Sequence, residues 1–338
     1  MISISVVIPV YSGEAYLERL VDAVAEIRAK WIADDAPFKL LELVFVDDGA
    51  RDNSPSIIDA LGSGREWVKP HHFSRNFGQH PATIAGILKT EGDWVVTMDE
   101  DMQHPPGRIE QMLAKAALTQ SDVVYANVSE AVHESASRDL TSRLYKKTIR
   151  YLSGNQNVHL FNSFRLIRGS VARAASAACG HSTYFDMALS WYTQRITAVN
   201  MPLKDDRYIQ TGKSGYKLKT LLSHARKMLI TGQIKALRLG SLFGIGVLGV
   251  SIVGAAAVLA EKLFYPERVA ASGWASLALL ILFFSGAIIF LVGIALEYIS
   301  VLVLHAHGKP LYFIVDRRGD KVLAEYFSSS AAREDQPT

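Results

Sequence analysis

The feature that most constrains the fold of this chain is a regular alternation of apolar, strand-like segments with helix-like segments through residue 126. The segments that we predict to be strands are rich in β-branched residues and comprise residues 2–10, 41–46, 67–73, 92–97 and 122–126. Between the first two of them, Leu17, Leu20, Val21, Val24 and Ile27 recur at helical spacing, and Ser12 can cap that helix. Strands that alternate with helices favour a doubly wound, mostly parallel sheet, so the sequence predicts an α/β fold.

An acidic stretch, MDEDMQHPP, follows the fourth predicted strand at residues 98–106. Its two prolines forbid continuation of the strand, and Pro106 suits the first turn of a helix. If the chain stays extended, alternation puts Asp99 and Asp101 on one side and Glu100 on the other. Two carboxylates that face one way suit a Mg²⁺ or Mn²⁺ ion that also binds a diphosphate. The alternative is an ordinary polar loop, which a bare Asp-x-Asp more often marks.

Polar side chains follow four of the predicted strands at the point where each strand ends. They are Tyr11 and Glu14, Asp47 and Asp48, Arg75 and Asn76, and Asp99 and Asp101. Any one pair is an ordinary transition from strand to loop, but four pairs along one sheet edge predict a ligand-binding crevice. The sequence has no glycine-rich phosphate loop, which argues against a dinucleotide-binding protein or a nucleoside triphosphatase.

Charge and cysteine content narrow the class of protein further. The formal net charge is only +3, so we expect no general affinity for nucleic acid. Cys179 is the single cysteine, which excludes an internal disulfide and fits a reducing compartment. The first ten residues lack a basic leader and a cleavage site, and we interpret them as a strand and not as a signal peptide.

The C-terminal part carries two uncharged runs of about 22 residues, 239–260 and 275–296, each long enough to span a bilayer. The preceding residues, 218–239, read as a basic amphipathic helix at the membrane surface. Basic residues flank the pair of spans, so the positive-inside rule puts both termini in the cytoplasm. The predicted units are a catalytic domain at 1–210, a juxtamembrane segment at 211–238, two spans within 239–304 (about 239–260 and 275–300) and a tail at 305–338. We expect residues 328–338 to be disordered.

Several motifs together resemble those of a known family in order and spacing. They are VIPVY at 7–11, VDDGARD at 46–52, SRNFG at 74–78, MDEDMQHPP at 98–106, GKS at 212–214 and KPLY at 309–312. Over residues 4–315 the chain resembles the family 2 polyprenyl-phosphate glycosyltransferases of the GT-A fold, a superfamily similar to dolichol-phosphate-mannose synthase. The bacterial undecaprenyl-phosphate sugar transferases with two C-terminal spans are the most similar subgroup. The motifs are specific for the superfamily and say little about the sugar.

The resemblance implies an inverting transfer of one sugar from a nucleotide-sugar to polyprenyl phosphate at the inner leaflet, for modification of a cell-envelope glycan. It implies roles for individual residues as well. The residues that bind the donor would be Pro9, Tyr11, Glu14, Asp47, Asp48, Arg75, Asp99 and Ser214, and the catalytic residues would be Asp99, Asp101 and Arg207. A Mg²⁺ or Mn²⁺ ion would be held by Asp101, Gln103 and Asp99. The acceptor phosphate would be bound by Arg138 and Ser142. The implied setting is the bacterial plasma membrane, with a homo-oligomer (a tetramer being one form) and no nucleic-acid partner.

The chain departs from the family pattern at four positions. Ser12 replaces the usual Asn, Ala50 the usual Ser, Asn127 stands near a position that is often basic, and Ser163 replaces a common acidic residue. The alternative function is a processive or polysaccharide glycosyltransferase that uses a hydroxyl acceptor. That chemistry needs a general base, for which Asp186 is the candidate. The Gln-x-x-Arg-Trp motif usual in that class is absent from the sequence.

Overall fold

The computed structural model describes residues 1–128, 155–180, 183–201, 235–265, 274–306 and 319–334. Its strands are β1 (Ile2–Val10), β2 (Phe38–Asp47), β3 (Val68–His72), β4 (Trp94–Thr97), β5 (Val123–Val128), β6 (Arg165–Arg168) and β7 (Ile196–Met201). Its helices are α1 (Leu17–Ala33), α2 (Ser54–Gly64), α3 (Gln79–Leu88), α4 (Ile109–Thr119), α5 (Gly169–Ala178), α6 (Phe185–Tyr192), α7 (Lys235–Phe264), α8 (Trp274–Ala306) and α9 (Asp320–Glu334). Short 3₁₀ turns cover Pro106–Arg108 and Gln156–Leu160.

The strands form one mixed sheet in the order β3-β2-β1-β4-β6-β5-β7. β1 pairs in parallel with β2 and β4, β2 with β3, and β5 with β7, whereas β6 runs antiparallel to β4 and β5. The predicted α/β fold class and mostly parallel sheet are therefore confirmed. The five predicted strands correspond to β1–β5, and β7 was not predicted because it is a half-buried edge strand with a weak apolar pattern.

Apolar side chains pack on both faces of the sheet, as expected for parallel strands covered by helices. α1, α2, α4 and α9 cover one face, and α3, α5 and α6 cover the other. The predicted apolar face of α1 is confirmed, but the helix begins at Leu17, and the expectation that Ser12 caps it is wrong. The Ser12 N–H instead donates to the carboxylate of Glu100, which keeps this part of the chain in a turn.

The last helix, α9, packs back onto the α/β domain. Leu323 and Phe327 are buried, and the Phe327 ring stacks on Phe38 with the centroids 5.7 Å apart. The predicted disorder of residues 328–338 is therefore wrong up to Glu334, where the helix ends. Its serine-rich and alanine-rich sequence is polar and small, but the i, i+4 pair of Leu323 and Phe327 supplies an apolar anchor.

Helices α7 and α8 contain the two uncharged runs and pack against each other. In the part of the chain that the structure describes, we find no helix that combines the length and the apolar character needed to span a bilayer. The predicted basic segment at 218–239 lies outside the described residues up to residue 234.

Candidate active site

A cavity of about 300 Å³ opens where β1, β2 and β4 end. Its lining residues are Pro9, Val10, Tyr11, Asp48, Asn76, Gly78, Gln79, Asp99, Glu100 and Asp101. The predicted crevice is therefore present at the carboxyl edge of the sheet. It brings together Pro9, Tyr11, Asp48, Asp99 and Asp101 from the predicted set. The lining does not include Glu14, Asp47, Arg75 or Gln103.

The acidic stretch does not continue as an extended strand. β4 ends at Thr97, the chain turns at residues 100–103, and Met102 takes a left-handed backbone conformation with φ of 63°. The prediction that Glu100 points to the opposite side from its neighbours is therefore wrong. Glu100 lines the same cavity as Asp99 and Asp101, because the alternation rule holds only for extended chain.

The carboxylate of Glu100 is held by the backbone at the end of β1. Oε2 accepts a hydrogen bond from the Tyr11 N–H at 2.9 Å, and Oε1 accepts one from the Ser12 N–H at 3.0 Å. Burial raises the pKa of Glu100, and the two N–H donors oppose that shift by favouring the charged form. Glu100 thus connects the acidic loop to the loop that carries Tyr11.

Asp99 is fixed by three partners. Its Oδ1 accepts from Gln79 Nε2 at 2.6 Å, its Oδ2 accepts from Ser163 Oγ at 2.9 Å, and its N–H donates to His104 Nδ1 at 2.9 Å. His104 is buried and stacks on Phe164 with the ring centroids 5.0 Å apart. Burial lowers the pKa of His104, against the opposing effect of Asp99 and Asp101, which suits an acceptor Nδ1.

The two carboxylates at the end of β2, Asp47 and Asp48, hold separate loops. Asp48 accepts from the N–H groups of Phe77 and Gly78 at 2.6 and 2.9 Å. Asp47 accepts from the Ala50 N–H at 2.7 Å and pairs with His72 Nδ1 at 3.0 Å. Asp48 faces the cavity, whereas Asp47 is buried behind it. Burial disfavours the imidazolium of His72, but Asp47 and Asp59 outweigh that effect and raise its pKa.

Glu14 and Arg75 also take part in local structure. Glu14 Oε2 accepts from the Asn53 N–H at 2.9 Å, just ahead of α2. The Arg75 guanidinium lies over the Phe77 ring, 4.1 Å from its centroid, and this side chain is exposed. An exposed arginine next to the cavity keeps its charge available to an anionic ligand.

The donor set near Asp101 fits a hard divalent cation. Asp99 and Asp101 face one cavity, and Asp101 Oδ1 also accepts from the Gln103 N–H at 3.3 Å. The two carboxylates offer the oxygen ligands that Mg²⁺ and Mn²⁺ prefer, and Gln103, which follows Asp101 but does not line the cavity, carries an amide oxygen of the same kind. Within the described ranges, no group of three His, Cys, Asp or Glu side chains is arranged to hold a metal. A bound diphosphate would have to complete the ligand set.

Asp186, the candidate base for a hydroxyl acceptor, lies in the core. It forms an ion pair with Arg165 and accepts a hydrogen bond from the Tyr125 hydroxyl at 2.8 Å. Both Arg165 and Asp186 are buried, with 3% and 2% of their surface exposed. A carboxylate held in this way is a structural counterion, so it is badly placed to remove a proton from a substrate.

Four predicted site residues lie outside the described residues: Arg138, Ser142, Arg207 and Ser214. Of the four departures from the family pattern, Asn127 donates to Asn200 across β5 and β7, and Ser163 supplies a hydrogen bond to Asp99. Sequence reasoning missed Gln79, Glu100 and His104 as partners of the acidic loop. Glu100 and His104 carried a signal, since both lie within the MDEDMQHPP motif.

Comparison with known proteins identifies relatives over nearly the whole chain. The family model described as "Glycosyl transferase family 2" matches residues 5–175. The protein named "Uncharacterized glycosyltransferase YkcC" from Bacillus subtilis (strain 168) is 30% identical over 316 residues, 93% of each chain. The "Undecaprenyl-phosphate 4-deoxy-4-formamido-L-arabinose transferase" of Shewanella sediminis (strain HAW-EB3) is 28% identical over 314 residues, 93% of this chain and 92% of that one.

One solved structure that the chain is similar to is glucosyl-3-phosphoglycerate synthase from Mycobacterium tuberculosis in complex with Mn²⁺, uridine-diphosphate-glucose and glycerol 3-phosphate. The TM-score is 0.42 and the sequence identity 19%, over 68% of this chain and 78% of that chain.

Proposed function

Because this chain belongs to glycosyltransferase family 2, we propose that it transfers one sugar from a nucleotide-sugar to a polyprenyl phosphate, with inversion at the anomeric carbon. The observation that carries the proposal is the cavity that holds Tyr11 and Asp48 together with Asp99 and Asp101. Relatives named undecaprenyl-phosphate sugar transferases, which align over most of the chain, support the class of acceptor.

The donor would lie across the cavity. Its base and ribose would contact the wall formed by Pro9, Tyr11 and Asp48, with Asp47 and Glu14 fixing the loops behind that wall. Arg75 would supply positive charge toward the diphosphate. Arg207 and Ser214, outside the described residues, would cover the donor phosphates.

Asp101, Gln103 and Asp99 would hold a Mg²⁺ or Mn²⁺ ion. Such an ion, when bound, offsets the charge of the donor diphosphate and of the departing nucleoside diphosphate. The protein supplies part of the preorganisation, because Gln79 and Ser163 already hold the Asp99 carboxylate in place.

The acceptor needs no strong general base. The second pKa of a phosphate monoester is about 6, so the acceptor is an anionic nucleophile at neutral pH. One phosphate oxygen forms a bond to the anomeric carbon, the bond from that carbon to the donor diphosphate breaks, and the electron pair leaves with the nucleoside diphosphate. Arg138 and Ser142 would hold the acceptor phosphate in line for this displacement. The buried position of Asp186 is consistent with a reaction that needs no base.

We infer that α7 and α8 form a membrane hairpin, on the basis of the two uncharged runs at 239–260 and 275–296. Large apolar side chains of this hairpin are exposed, including Val250, Val253, Leu263, Phe264, Phe283, Leu291 and Leu302. An exposed apolar surface of this extent favours burial in lipid over contact with water. Because α9 packs against the domain formed by β1–β7, both ends of the hairpin would lie on one side of the bilayer.

The corresponding location is the bacterial plasma membrane, with the catalytic domain and both termini in the cytoplasm. The basic segment at 218–239 would lie on the anionic inner leaflet and bring the cavity to the headgroups. A homo-oligomer, including a tetramer, is proposed from the family resemblance alone, and light scattering of the detergent-solubilised protein would measure its mass.

A competition between acceptors tests the choice of phosphate over hydroxyl. The full-length protein is given undecaprenyl phosphate, undecaprenol or an oligosaccharide, together with each member of a panel of radiolabelled nucleotide-sugars. We expect label to enter only the phosphate lipid, as a single sugar. Label in undecaprenol, or in a product that lengthens with time, would favour the processive or hydroxyl-acceptor alternative.

A further inference from the structure

Glu100 joins two loops of the active site that come from different strands. Its carboxylate accepts from the N–H groups of Tyr11 and Ser12, which follow β1, at 2.9 and 3.0 Å. Its own backbone lies between Asp99 and Asp101, which follow β4. Both backbone donors are satisfied by one side chain, and each bond is charge-assisted because the acceptor is a carboxylate.

Gly13 makes room for this contact. A Cβ atom built at Gly13 would lie 2.8 Å from Glu100 Oε2 and 3.3 Å from Glu100 Cδ. The backbone of Gly13 has no left-handed conformation to preserve, so an alanine would be unfavourable there because of the space that Glu100 occupies and, less closely, because of Leu17 Cγ at 3.2 Å.

We propose that Glu100 is a positioning residue that sets the distance between the donor-binding wall at Tyr11 and the acidic side chains Asp99 and Asp101. The inference rests on the proposed function, because it assumes that a nucleoside diphosphate lies between those two walls. With both N–H groups bound, the loop after β1 and the loop after β4 move as one unit. Without these hydrogen bonds, the distance between the part of the cavity that binds the diphosphate and the part that binds the base would vary.

The geometry distinguishes this positioning role from a contribution to the stability of the fold. The apolar cores on both faces of the sheet are complete without Glu100, whose side chain lies at the cavity. Loss of its hydrogen bonds should therefore weaken donor binding far more than it lowers the stability of the fold. An amide at this position can accept only through its single oxygen and presents an NH₂ group to the second N–H.

The test uses the full-length protein and the variants Glu100→Gln, Glu100→Ala, Gly13→Ala and the double variant Gly13→Ala with Glu100→Ala. The control is Gly64→Ala, because a Cβ at Gly64 meets no atom within 4 Å. The binding probe is whichever of UDP, GDP, CDP and dTDP the wild type binds most tightly with Mn²⁺, measured by calorimetry. Donor and acceptor kinetics and the thermal midpoint are measured in parallel.

We expect Glu100→Gln and Gly13→Ala each to weaken diphosphate binding and to lower donor kcat/KM by roughly tenfold or more. The acceptor KM and the thermal midpoint should stay close to wild type. The double variant should lose less than the two single effects combined, since with Glu100 truncated the new Cβ meets only Leu17 Cγ, at 3.2 Å.

Wild-type donor binding in Glu100→Gln, or effects that multiply in the double variant, would overturn the positioning role. A lower thermal midpoint of the Glu100 variants with unchanged donor kinetics would show that Glu100 stabilises the fold, and it would also overturn the positioning role. Failure of the wild type to use a polyprenyl phosphate would instead refute the proposed function, and the diphosphate titrations would still decide the role of Glu100.

Discussion

Arg168 at the end of β6 and Asp320 at the start of α9 form a two-point ion pair, although they lie far apart in the sequence. Arg168 Nη2 is 2.7 Å from Asp320 Oδ1 and 2.9 Å from Oδ2, and Arg168 Nε is 2.8 Å from Asp122 Oδ1. The Arg168 side chain is 8% exposed and that of Asp320 17%, so water screens the pair little. This contact fastens α9 to the edge of the sheet opposite the cavity.

We expect Asp320→Ala to destabilise the domain by about 1–3 kcal/mol, because it leaves part of a buried guanidinium without its acceptor. Thermal unfolding of the full-length protein in detergent measures the effect. Asp22→Ala is the matched control, since Asp22 pairs with Arg65 at 3.1 Å on an exposed surface and should change stability by less than about 0.5 kcal/mol. Equal effects of the two variants would mean that α9 is not held by Arg168.

We expect Asp101→Ala to reduce transfer by about two to three orders of magnitude while the protein folds and inserts normally. The physical reason is loss of a carboxylate that faces the cavity beside Asp99. Initial rates over a Mn²⁺ titration measure the effect, with Asp34→Asn, on an exposed site after α1, as the control. Near wild-type activity of Asp101→Ala, or of the wild type in excess chelator, would refute the metal assignment.

We expect Arg138→Ala to raise the KM for the lipid acceptor by about tenfold and to leave the donor KM unchanged, through loss of one charged phosphate contact. Arg138 lies outside the described residues, and the prediction follows from the family resemblance. The exposed Arg19 of α1 provides the control variant, Arg19→Ala. A selective rise in the donor KM would reassign Arg138 to the donor side.

Membrane topology can be measured with a single introduced thiol. The hairpin predicts that Ser272→Cys, in a Cys179→Ser background, reacts with an impermeant maleimide from outside the cell. Native Cys179 is a weak competitor even where it is kept, because burial raises its pKa to about 12. Tags at both termini should react only after permeabilisation. Reaction of the introduced thiol only after permeabilisation would exclude the hairpin.

Much of the fold and the position of the crevice could be predicted from the sequence, because strand ends carry a local signal. Apolar segments that stop at Tyr11, Asp47 and Asp99 located one edge of the sheet. The direction of each side chain at that edge could not be predicted from the sequence, since it depends on turns such as the one at Met102. Glu100 was assigned to the wrong side for that reason.

Contacts between segments that are distant in the sequence could not be predicted either. The edge strand β7 is half-buried along most of its length, so Ile196 and its neighbours show no strong period. The anchoring of α9 depends on Phe38 and Arg168, which precede it by more than 150 residues. A polar terminal segment with two apolar residues carries too weak a pattern to reveal such partners.

The central claim is tested most directly by the mass of the lipid product. The full-length protein is reconstituted in vesicles that contain undecaprenyl phosphate and supplied with the nucleotide-sugar panel and Mn²⁺. We predict one product with the mass of undecaprenyl phosphate plus one glycosyl residue, anomeric configuration opposite to that of the donor, and one nucleoside diphosphate released per lipid modified. A lipid that carries several sugars, a retained anomeric configuration, or no glycosylated phosphate lipid with any donor would contradict the account.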